Sequence, residues 1–409
     1  MYLKKLELVN YRNYSHVNLS FEKNTILIFG NNGNGKTNLL ESIHYLSTGK
    51  SHRTYTQDEI IKWGSKQSWI RAIVGSDGAS PVNHLVEIEM RKGNETRIRV
   101  DKTTRRKKTD FVSILPTVIF SPDDLKIIKD GPSERRNFLD SLLEKIDSSY
   151  YRQRLQYQKI LVQRNSLIKS AGKGTGGKID ESINSTLEAW DSNLVKYGSS
   201  IIKKRYKLLN EIKPEFKEYM KNFFKGVSVE IFYLFSWNRK NMPDSFENES
   251  LENYQDVEIQ NENNFVGGVR SIGRNLEEVF YRKLRENFDK DMQYKITTIG
   301  PHRDDFVILL NGKNLRFFGS QGQQRVASIC LRLCELGILK EKIKEDPVLL
   351  LDDVFSELDI ERKKMLVKAV NNKYQTFITA TNISYLDKLD MEFGSKMLVQ
   401  DNGITPLDL

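Results

Sequence analysis

The sequence predicts an α/β fold in which a sheet-based head, built from both ends of the chain, is interrupted by a mostly helical inserted arm. Two observations define the head. TILIF, Thr25 to Phe29, is an apolar run followed by a helical pattern, and VLLLDD, Val348 to Asp353, is a second apolar run near the other end. Such runs are typical of strands buried on both faces. The third observation is a change to long helical patterns between Pro122 and about Asp289. The expected boundaries are 1–120 and 295–409 for the head and 121–294 for the arm.

Changes in hydrophobic period give the order of elements within the head. Apolar and polar residues alternate from His16 to Phe21, as in a strand with one buried face. After Lys36 the period changes to that of a helix, with an apolar stripe at Leu39, Leu40, Ile43 and Leu46. TFITAT, from Thr376 to Thr381, resembles a third buried strand. Within the arm, the polar stretch 240–264 is expected to be a surface loop, and it has no assigned role.

Composition and charge restrict the class of protein. The 409 residues include 64 Lys+Arg and 54 Asp+Glu, a formal net charge of +10 that favours an anionic partner such as nucleic acid. No apolar run is long enough to span a membrane, and the N-terminus lacks the apolar core of a signal peptide. The two cysteines, Cys330 and Cys334, lack the companions of a metal set and are expected to be core thiols. We therefore expect a cytoplasmic protein without a membrane partner.

A phosphate-binding loop is the most specific motif. Gly30 to Thr37 matches G-x-x-x-x-G-K-T between a predicted buried strand and an amphipathic helix, the context that such a loop requires. Backbone N–H groups and the helix N-terminus would bind the phosphates of ATP. Lys36 would reach the β- and γ-phosphates, and the Thr37 hydroxyl would bind Mg²⁺. The alternative is a Gly/Asn-rich turn that matches by chance. The predicted nucleotide-binding residues of the loop are Gly30, Asn31, Asn32, Gly33, Asn34, Gly35, Lys36, Thr37 and Asn38.

Two adjacent carboxylates end the apolar run VLLLDD. Asp352 comes at the carboxyl end of the predicted strand, where α/β sheets bind ligands, and is the predicted Mg²⁺ ligand. Asp353 follows where a general base would orient the attacking water. Solvated turn residues are the alternative for this pair.

Two further segments narrow the class. Ser320-Gln321-Gly322-Gln323-Gln324 precedes a predicted helix, and SELD, Ser356 to Asp359, follows the acid pair. They resemble the signature motif and the D-loop of ABC-type ATPases, in which the signature of one head covers the γ-phosphate bound by another. Taken alone, SQGQQ is better interpreted as a polar helix cap, but its place between the phosphate-binding loop and the DD-SELD element favours the signature motif.

The spacing and the remaining motifs resemble the RecF family of ABC-type, SMC-like ATPases. The insertion between Lys36 and Ser320 is longer than in transporter subunits and lacks the heptads of SMC coiled coils. The other matching stretches cover nearly the whole chain: LELVNYRNY, GNNGNGKTNLLESI, GKSHRT, FSPDDL, GPSERRNFLD, IGPHRDD, GSQGQQR and LLLDDVFSELD.

This resemblance implies a set of functions. It implies ATP and Mg²⁺ as ligands, an ATP-dependent homodimer with shared sites and slow, DNA-stimulated ATP hydrolysis. It also implies binding to duplex DNA and to gapped DNA or single-strand junctions. It also implies action with RecR and RecO in directing RecA onto gapped DNA. Ser320 and Gln323 would act at the partner's nucleotide, and Arg12 is a nucleotide contact or a plain surface residue. The chain departs from the transporter pattern because Thr381 replaces the switch histidine and FSPDDL contains no Gln.

The sequence leaves alternative interpretations open for the DNA-contacting residues and for the class of function. The densest basic segment is Arg105, Arg106, Lys107 and Lys108, and Arg152, Arg154, Lys159 and Arg164 could extend it along the arm. A solvated hairpin is the other interpretation of the basic segment. The rival functions are an ABC transporter ATPase subunit and a nucleotide-gated scaffold that does not hydrolyse ATP.

Overall fold

The computed structural model describes residues 1–54, 56–76, 82–105, 114–171, 181–237, 268–370, 373–381 and 391–407. The chain divides into two compact units, Met1–Asp124 with Leu331–Leu409, and Leu125–Cys330. The first unit is thus built from both chain ends and the second is inserted between them. The boundaries expected from the sequence, 1–120, 121–294 and 295–409, stay a prediction. The predicted loop 240–264 lies outside the described residues.

The elements are numbered in chain order. The strands are β1 (Tyr2–Tyr11), β2 (Tyr14–Ser20), β3 (Thr25–Phe29), β4 (Gln67–Gly75), β5 (Asn83–Arg91), β6 (Arg97–Val100), β7 (Thr103–Arg105), β8 (Thr117–Phe120), β9 (Val229–Leu234), β10 (Asp305–Leu310), β11 (Lys313–Asn314), β12 (Val348–Asp352), β13 (Thr376–Ala380), β14 (Ser395–Gln400) and β15 (Gly403–Leu407). The α-helices are α1 (Lys36–Thr48), α2 (Leu125–Lys129), α3 (Pro132–Ile146), α4 (Ser148–Ala171), α5 (Glu181–Phe223), α6 (Gly268–Glu286), α7 (Phe288–Tyr294), α8 (Leu315–Phe318), α9 (Gln321–Ile343) and α10 (Ile360–Val370).

A six-stranded, mainly parallel sheet forms one layer of the first unit, in the order β15-β14-β3-β13-β12-β8. Strands β14, β3, β13, β12 and β8 pair in parallel, and only the β14–β15 pair is antiparallel. Every residue of β12 and β13 is buried, as the two apolar runs predicted. Because β13 lies between β3 and β12, the carboxyl ends of all three strands meet at one edge of the sheet.

The second layer of this unit is an antiparallel sheet in the order β2-β1-β4-β5-β6-β7. One face is apolar and packs, with α1 and the parallel sheet, into a common core that includes Leu8, Ile70 and Ile88. The other face carries paired charges, and Arg71 of β4 contacts Glu7 of β1 and Glu87 of β5. Antiparallel sheets commonly cover a core on one face only.

The inserted unit is mostly helical, as the long helical patterns after Pro122 predicted, and its main helices include α3, α4 and α5. It also contains a sheet in the order β11-β10-β9, and the sequence interpretation missed β9. In the described part of the chain no helix is long and apolar enough to cross a membrane. Both cysteines are fully buried, as expected of core thiols.

Candidate nucleotide-binding site

The phosphate-binding loop joins β3 to α1 at the carboxyl edge of the parallel sheet. Gly30, Gly33 and Gly35 have φ values of +149°, +84° and +110°, which side chains rarely adopt. A Cβ on Gly30 would come within 2.2 Å of the Val399 carbonyl oxygen, and one on Gly35 would come within 2.5 Å of Asn13 Nδ2. Space beside Gly33 is open, with no atom within 4 Å of a built Cβ. The loop therefore requires glycine at these positions and leaves one side accessible.

Lys36 begins α1 and turns its ammonium back toward the loop. Its Nζ donates to the carbonyl oxygens of Gly30 at 2.7 Å and Asn31 at 2.9 Å. Burial lowers the pKa of Lys36, and the carboxylates of Asp353 and Asp352 act in the opposite direction. A partly desolvated cation whose ammonium is hydrogen-bonded to neutral carbonyl groups is suited to bind an anion.

Thr37 and Asp352 come together although they are far apart in the sequence. The Thr37 hydroxyl donates to Asp352 Oδ1 at 3.0 Å, and the Thr379 hydroxyl of β13 donates to the same oxygen at 2.8 Å. Burial raises the pKa of Asp352, opposed by these two hydrogen bonds. Among the described residues no cluster of three His, Cys, Asp or Glu side chains forms a metal cage. A hydroxyl beside one carboxylate is compatible with Mg²⁺, which is usually bound by few protein ligands together with substrate phosphates and water.

Asp353 follows β12 in a left-handed conformation, with φ of +50°. Its N–H donates to the Thr379 hydroxyl at 2.9 Å, so one threonine fixes the carboxylate of Asp352 and the backbone of Asp353. Asp353 Oδ1 is buried and has no hydrogen-bond partner within the described residues. Buried polar atoms are normally paired, so an unpaired carboxylate oxygen here indicates a group held for a ligand or water.

Arg12 is directed toward α1. Its guanidinium makes a bidentate contact with the buried Glu41, with Nη2–Oε1 and Nε–Oε2 distances of 2.6 Å and 2.8 Å. Burial alone would raise the pKa of Glu41, but hydrogen bonds from Arg12 and Ser51 outweigh burial and lower it. The structure therefore shows Arg12 in a structural ion pair, and its contact with a nucleotide stays a prediction.

The turn before β2 supports the loop through residues that the sequence interpretation missed. Asn13 Nδ2 donates to the Asn34 carbonyl at 3.0 Å, and Asn38 Nδ2 donates to Asn13 Oδ1 at 2.8 Å. The buried hydroxyl of Tyr14 donates to the Gly35 carbonyl at 3.0 Å. NYRNY contains both supporting residues, but nothing local distinguishes them from Arg12. Asn31 and Asn32 are exposed on the loop.

Ser320 and Gln323 form a capping box at the start of α9 in the inserted unit. The Ser320 hydroxyl accepts from Gln323 N–H at 3.2 Å, and Gln323 Oε1 accepts from Ser320 N–H at 2.9 Å. The polar-cap interpretation is thus correct locally. Ser320 is exposed, and its hydroxyl hydrogen is not used in this pair. The roles of both residues at a partner's nucleotide stay predictions.

The basic residues expected to contact DNA differ in environment. Arg105 is half-buried at the end of β7, and Arg106, Lys107 and Lys108 lie outside the described residues. On α4, Arg152 and Lys159 are exposed. Arg154 pairs with Glu144.

The expectation that Arg164 extends a DNA-contacting surface is wrong. Its side chain is fully buried and contacts Asp191 at 2.6 Å and Asp291 at 2.7 Å. Thr297 accepts a further hydrogen bond from Arg164 Nη1. Arg164 therefore stabilises the inserted unit and is not available to track phosphates.

Comparisons with known proteins establish the family. The family described as the RecF/RecN/SMC N terminal domain matches residues 2–405. The DNA replication and repair protein RecF of Clostridium tetani (strain Massachusetts / E88) is 36% identical over 404 residues, covering 98% of this chain and 99% of that protein. The chain belongs to the RecF family.

Solved structures agree with the RecF fold. The structure of the recombination mediator protein RecF-ATP in the RecFOR pathway has a TM-score of 0.82 and is 34% identical, covering 100% of this chain and 98% of that one. An Smc head domain from Pyrococcus furiosus, 14% identical with a TM-score of 0.51 over 100% of this chain and 96% of that one, shares the fold alone. These likenesses confirm the ABC-type α/β head with a mostly helical insertion. Membership of the RecF family separates the chain from transporter ATPase subunits.

Proposed function

We propose that this chain is an ATP-dependent DNA clamp that hydrolyses ATP slowly and acts in recombinational repair and replication restart. The observation that carries the proposal is the convergence of Lys36, Thr37, Asp352 and Asp353 at one edge of the sheet in a RecF-family chain. The related RecF bound to ATP supports the same ligand here. By family resemblance, the clamp acts with RecR and RecO in directing RecA onto gapped DNA.

The residues at the edge of the sheet fit a magnesium–nucleotide complex. Gly30 and Gly35 lie where a Cβ atom would collide with neighbouring groups, and Gly33 faces open space. Thr37 and Asp352 already share a hydrogen bond and are the proposed Mg²⁺ ligands. The Mg²⁺ ion would neutralise phosphate charge that develops as the terminal phosphoryl group is transferred.

Different side-chain and backbone groups of the chain have different roles in ATP hydrolysis. Lys36 exchanges its carbonyl contacts for phosphate oxygens and holds the β- and γ-phosphates by charge. The loop N–H groups and the start of α1 orient them. Asp353 orients the attacking water and accepts its proton through the unpaired Oδ1. We assign Arg12 and Asn38 supporting contacts at the same nucleotide, and the exposed Asn31 and Asn32 complete the loop.

The proposed dimer uses Ser320 and Gln323 of one copy at the nucleotide of the other. The capping box fixes the Ser320 backbone, while its exposed hydroxyl can still donate. Closure around two ATP molecules would then retain DNA, with the segment Arg105 to Lys108 as the proposed phosphate contact. Hydrolysis reopens the dimer.

Lys36→Met provides the test of this proposal. The wild-type chain should bind duplex, single-stranded and gapped DNA more tightly with Mg-ATP than without it. Lys36→Met should lose nucleotide binding and ATP-dependent DNA retention together, because the same charge supports both. Fluorescent-nucleotide titration and DNA anisotropy measure the two losses. If wild type retains DNA equally well with and without ATP, the chain is not an ATP-dependent clamp. If ATP controls DNA retention by wild type but is not hydrolysed, the chain is a nucleotide-gated scaffold.

A further inference from the structure

Trp63 is the most exposed large apolar side chain among the described residues, with 92% of its surface accessible. It lies in the segment between residue 61, which bridges to Tyr11, and β4. A tryptophan carries a large apolar area that most folds bury at least in part. The nearly complete exposure of Trp63 is therefore unusual for this residue type.

The turn that carries Trp63 is held firmly. The Lys62 carbonyl accepts from Ser65 N–H at 2.9 Å, and Gly64 has a φ of +85°, as turns with a left-handed third residue require. Lys62 N–H donates to the Asn10 carbonyl at 2.9 Å, and Lys92 N–H donates to the Lys66 carbonyl at 3.1 Å. The indole therefore stands at the apex of a fixed turn.

Three lysines are close to Trp63 along the chain or through backbone pairing: Lys62 and Lys66 belong to the same turn segment, and Lys92 pairs with Lys66. Lys66 and Lys92 are exposed, and neither forms an ion pair among the residues that the structure describes. Lys62 is partly exposed. Asp58 and Glu59 lie nearby in sequence, so the charge is not uniformly positive. Aromatic rings beside cations are the arrangement on which unpaired nucleic-acid bases stack while their phosphates are neutralised.

A chain of hydrogen bonds joins this turn to the phosphate-binding loop. Lys62 Nζ donates to the Asn13 carbonyl at 3.2 Å and also contacts the Ser15 hydroxyl. The side chain of Asn13 in turn contacts Asn34 and Asn38 of the loop. Asn13 is thus the single residue in this chain of hydrogen bonds between Lys62 of the turn and the phosphate-binding loop.

We infer that Trp63 stacks on an unpaired base at a gap or single-stranded junction, and that Lys62 and Asn13 transmit this contact to the phosphate-binding loop. The inference rests on the proposed function, since it names the DNA structure that the clamp recognises and the route by which DNA stimulates ATP turnover. Intact duplex offers no unpaired base and is held through phosphate contacts alone.

The test compares Trp63→Ala, Trp63→Phe and the matched control Tyr294→Ala, which removes an aromatic side chain 58% exposed in the other unit. With Mg-ATP, Trp63→Ala should bind a labelled gapped duplex about 5- to 150-fold more weakly, the range for one lost base stack. Trp63→Phe should recover most of that affinity, and Tyr294→Ala should resemble wild type. Competition by closed circular duplex should be unchanged in all three.

Two further measurements separate stacking from a general defect. Gapped DNA should quench the tryptophan fluorescence of wild type, and Trp63→Phe should lose most of that quenching. ATP turnover without DNA should be unchanged in Trp63→Ala, while its stimulation by gapped DNA should be lost.

Distinct outcomes would overturn the inference. If wild type binds gapped DNA and Trp63→Ala binds it equally well, the turn is not a DNA contact, although the clamp itself survives. Loss of RecR binding with DNA affinity intact would assign Trp63 to a protein partner instead. If wild type binds no DNA, the proposed function fails first and the inference fails with it.

Discussion

Two sets of buried charged side chains differ in how completely their hydrogen bonds are satisfied. In the inserted unit, Arg205 donates to both oxygens of Asp140, at 2.7 Å and 2.9 Å, and to the Pro301 carbonyl at 2.6 Å. At the edge of the parallel sheet, Asp353 keeps a buried oxygen without a partner in the described part of the chain. There the ammonium of Lys36 donates to the carbonyl oxygens of Gly30 and Asn31.

The Arg205–Asp140 pair is therefore satisfied within the fold, whereas Lys36 and Asp353 keep bonding capacity at the edge of the sheet. Burial opposes the charged form of Arg205, yet Tyr150 and Asp140 keep its pKa well above the ordinary value. At the sheet edge burial prevails, so the pKa of Lys36 is lowered and that of Asp352 is raised. Groups with pKa values perturbed by burial and a charged neighbour are candidates for functional sites.

The largest expected effect is on the satisfied set. Arg205→Met leaves the buried Asp140 without its cationic partner, so we expect the free energy of unfolding to fall by about 3–5 kcal/mol, measured by urea denaturation. The double variant Arg205→Met, Asp140→Leu should recover much of this loss because neither charge remains. Nucleotide affinity should be unchanged in both. A loss below about 1 kcal/mol in the single variant would contradict a structural role.

Asp353→Asn tests the unsatisfied set. The amide cannot accept the water's proton, so turnover should slow by about 10²-fold or more while ATP and Mg²⁺ still bind. The variant should accumulate as an ATP-bound dimer, whereas Ser320→Arg should bind ATP and stay monomeric. Light scattering after size-exclusion chromatography compares them. Equal dimerisation of the two variants would exclude a shared site.

A smaller effect is expected from Thr379, which connects the two aspartates. Thr379→Val removes the donor to Asp352 and the acceptor for Asp353 N–H, and should cost about 1.5–3 kcal/mol of transition-state stabilisation. Turnover and the Mg²⁺ concentration for half-maximal activity should both change, whereas unfolding should change little. Thr379→Ser keeps the hydroxyl and should restore both parameters. Failure of serine to rescue would show that the methyl group, and therefore packing, is what matters.

The effect that is smallest near neutral pH comes from the protonation of one buried histidine in each unit. Burial lowers the pKa of His52 in the first unit and of His302 in the second to about 4. Between pH about 4 and 6.5 the unfolded chain binds more protons, so each histidine should reduce stability by up to about 1.4 kcal/mol per pH unit as pH falls. Above about pH 6.5 both histidines are neutral in the folded and the unfolded chain, so the stability is fully present there. His302→Gln should flatten the pH dependence of urea unfolding, and an unchanged slope would show that His302 titrates normally.

Local sequence predicted much of the fold and the centre of the site. The apolar runs of β3, β12 and β13 require burial on both faces, and the glycines of the loop are fixed by backbone conformation. The Lys-Thr pair and the two aspartates follow directly from these elements. Such features depend on neighbours a few residues away, and therefore a single chain reveals them.

Tertiary structure alone decided which other residues matter. In the sequence Thr379 cannot be distinguished from any other threonine in a strand, and its role follows only from the parallel pairing of β13 with β12. The sequence likewise does not show whether Asn13 or Arg12 supports the loop, which the packing of the turn decides. Arg152 and Arg164 are indistinguishable as basic residues of α4, yet the approach of Asp191 and Asp291 buries only Arg164. The sequence by itself determined the periodicities and the glycine-dependent conformations, which are local. Strand register and helix packing decided the partners of each polar group, because they bring together residues that are distant in the chain.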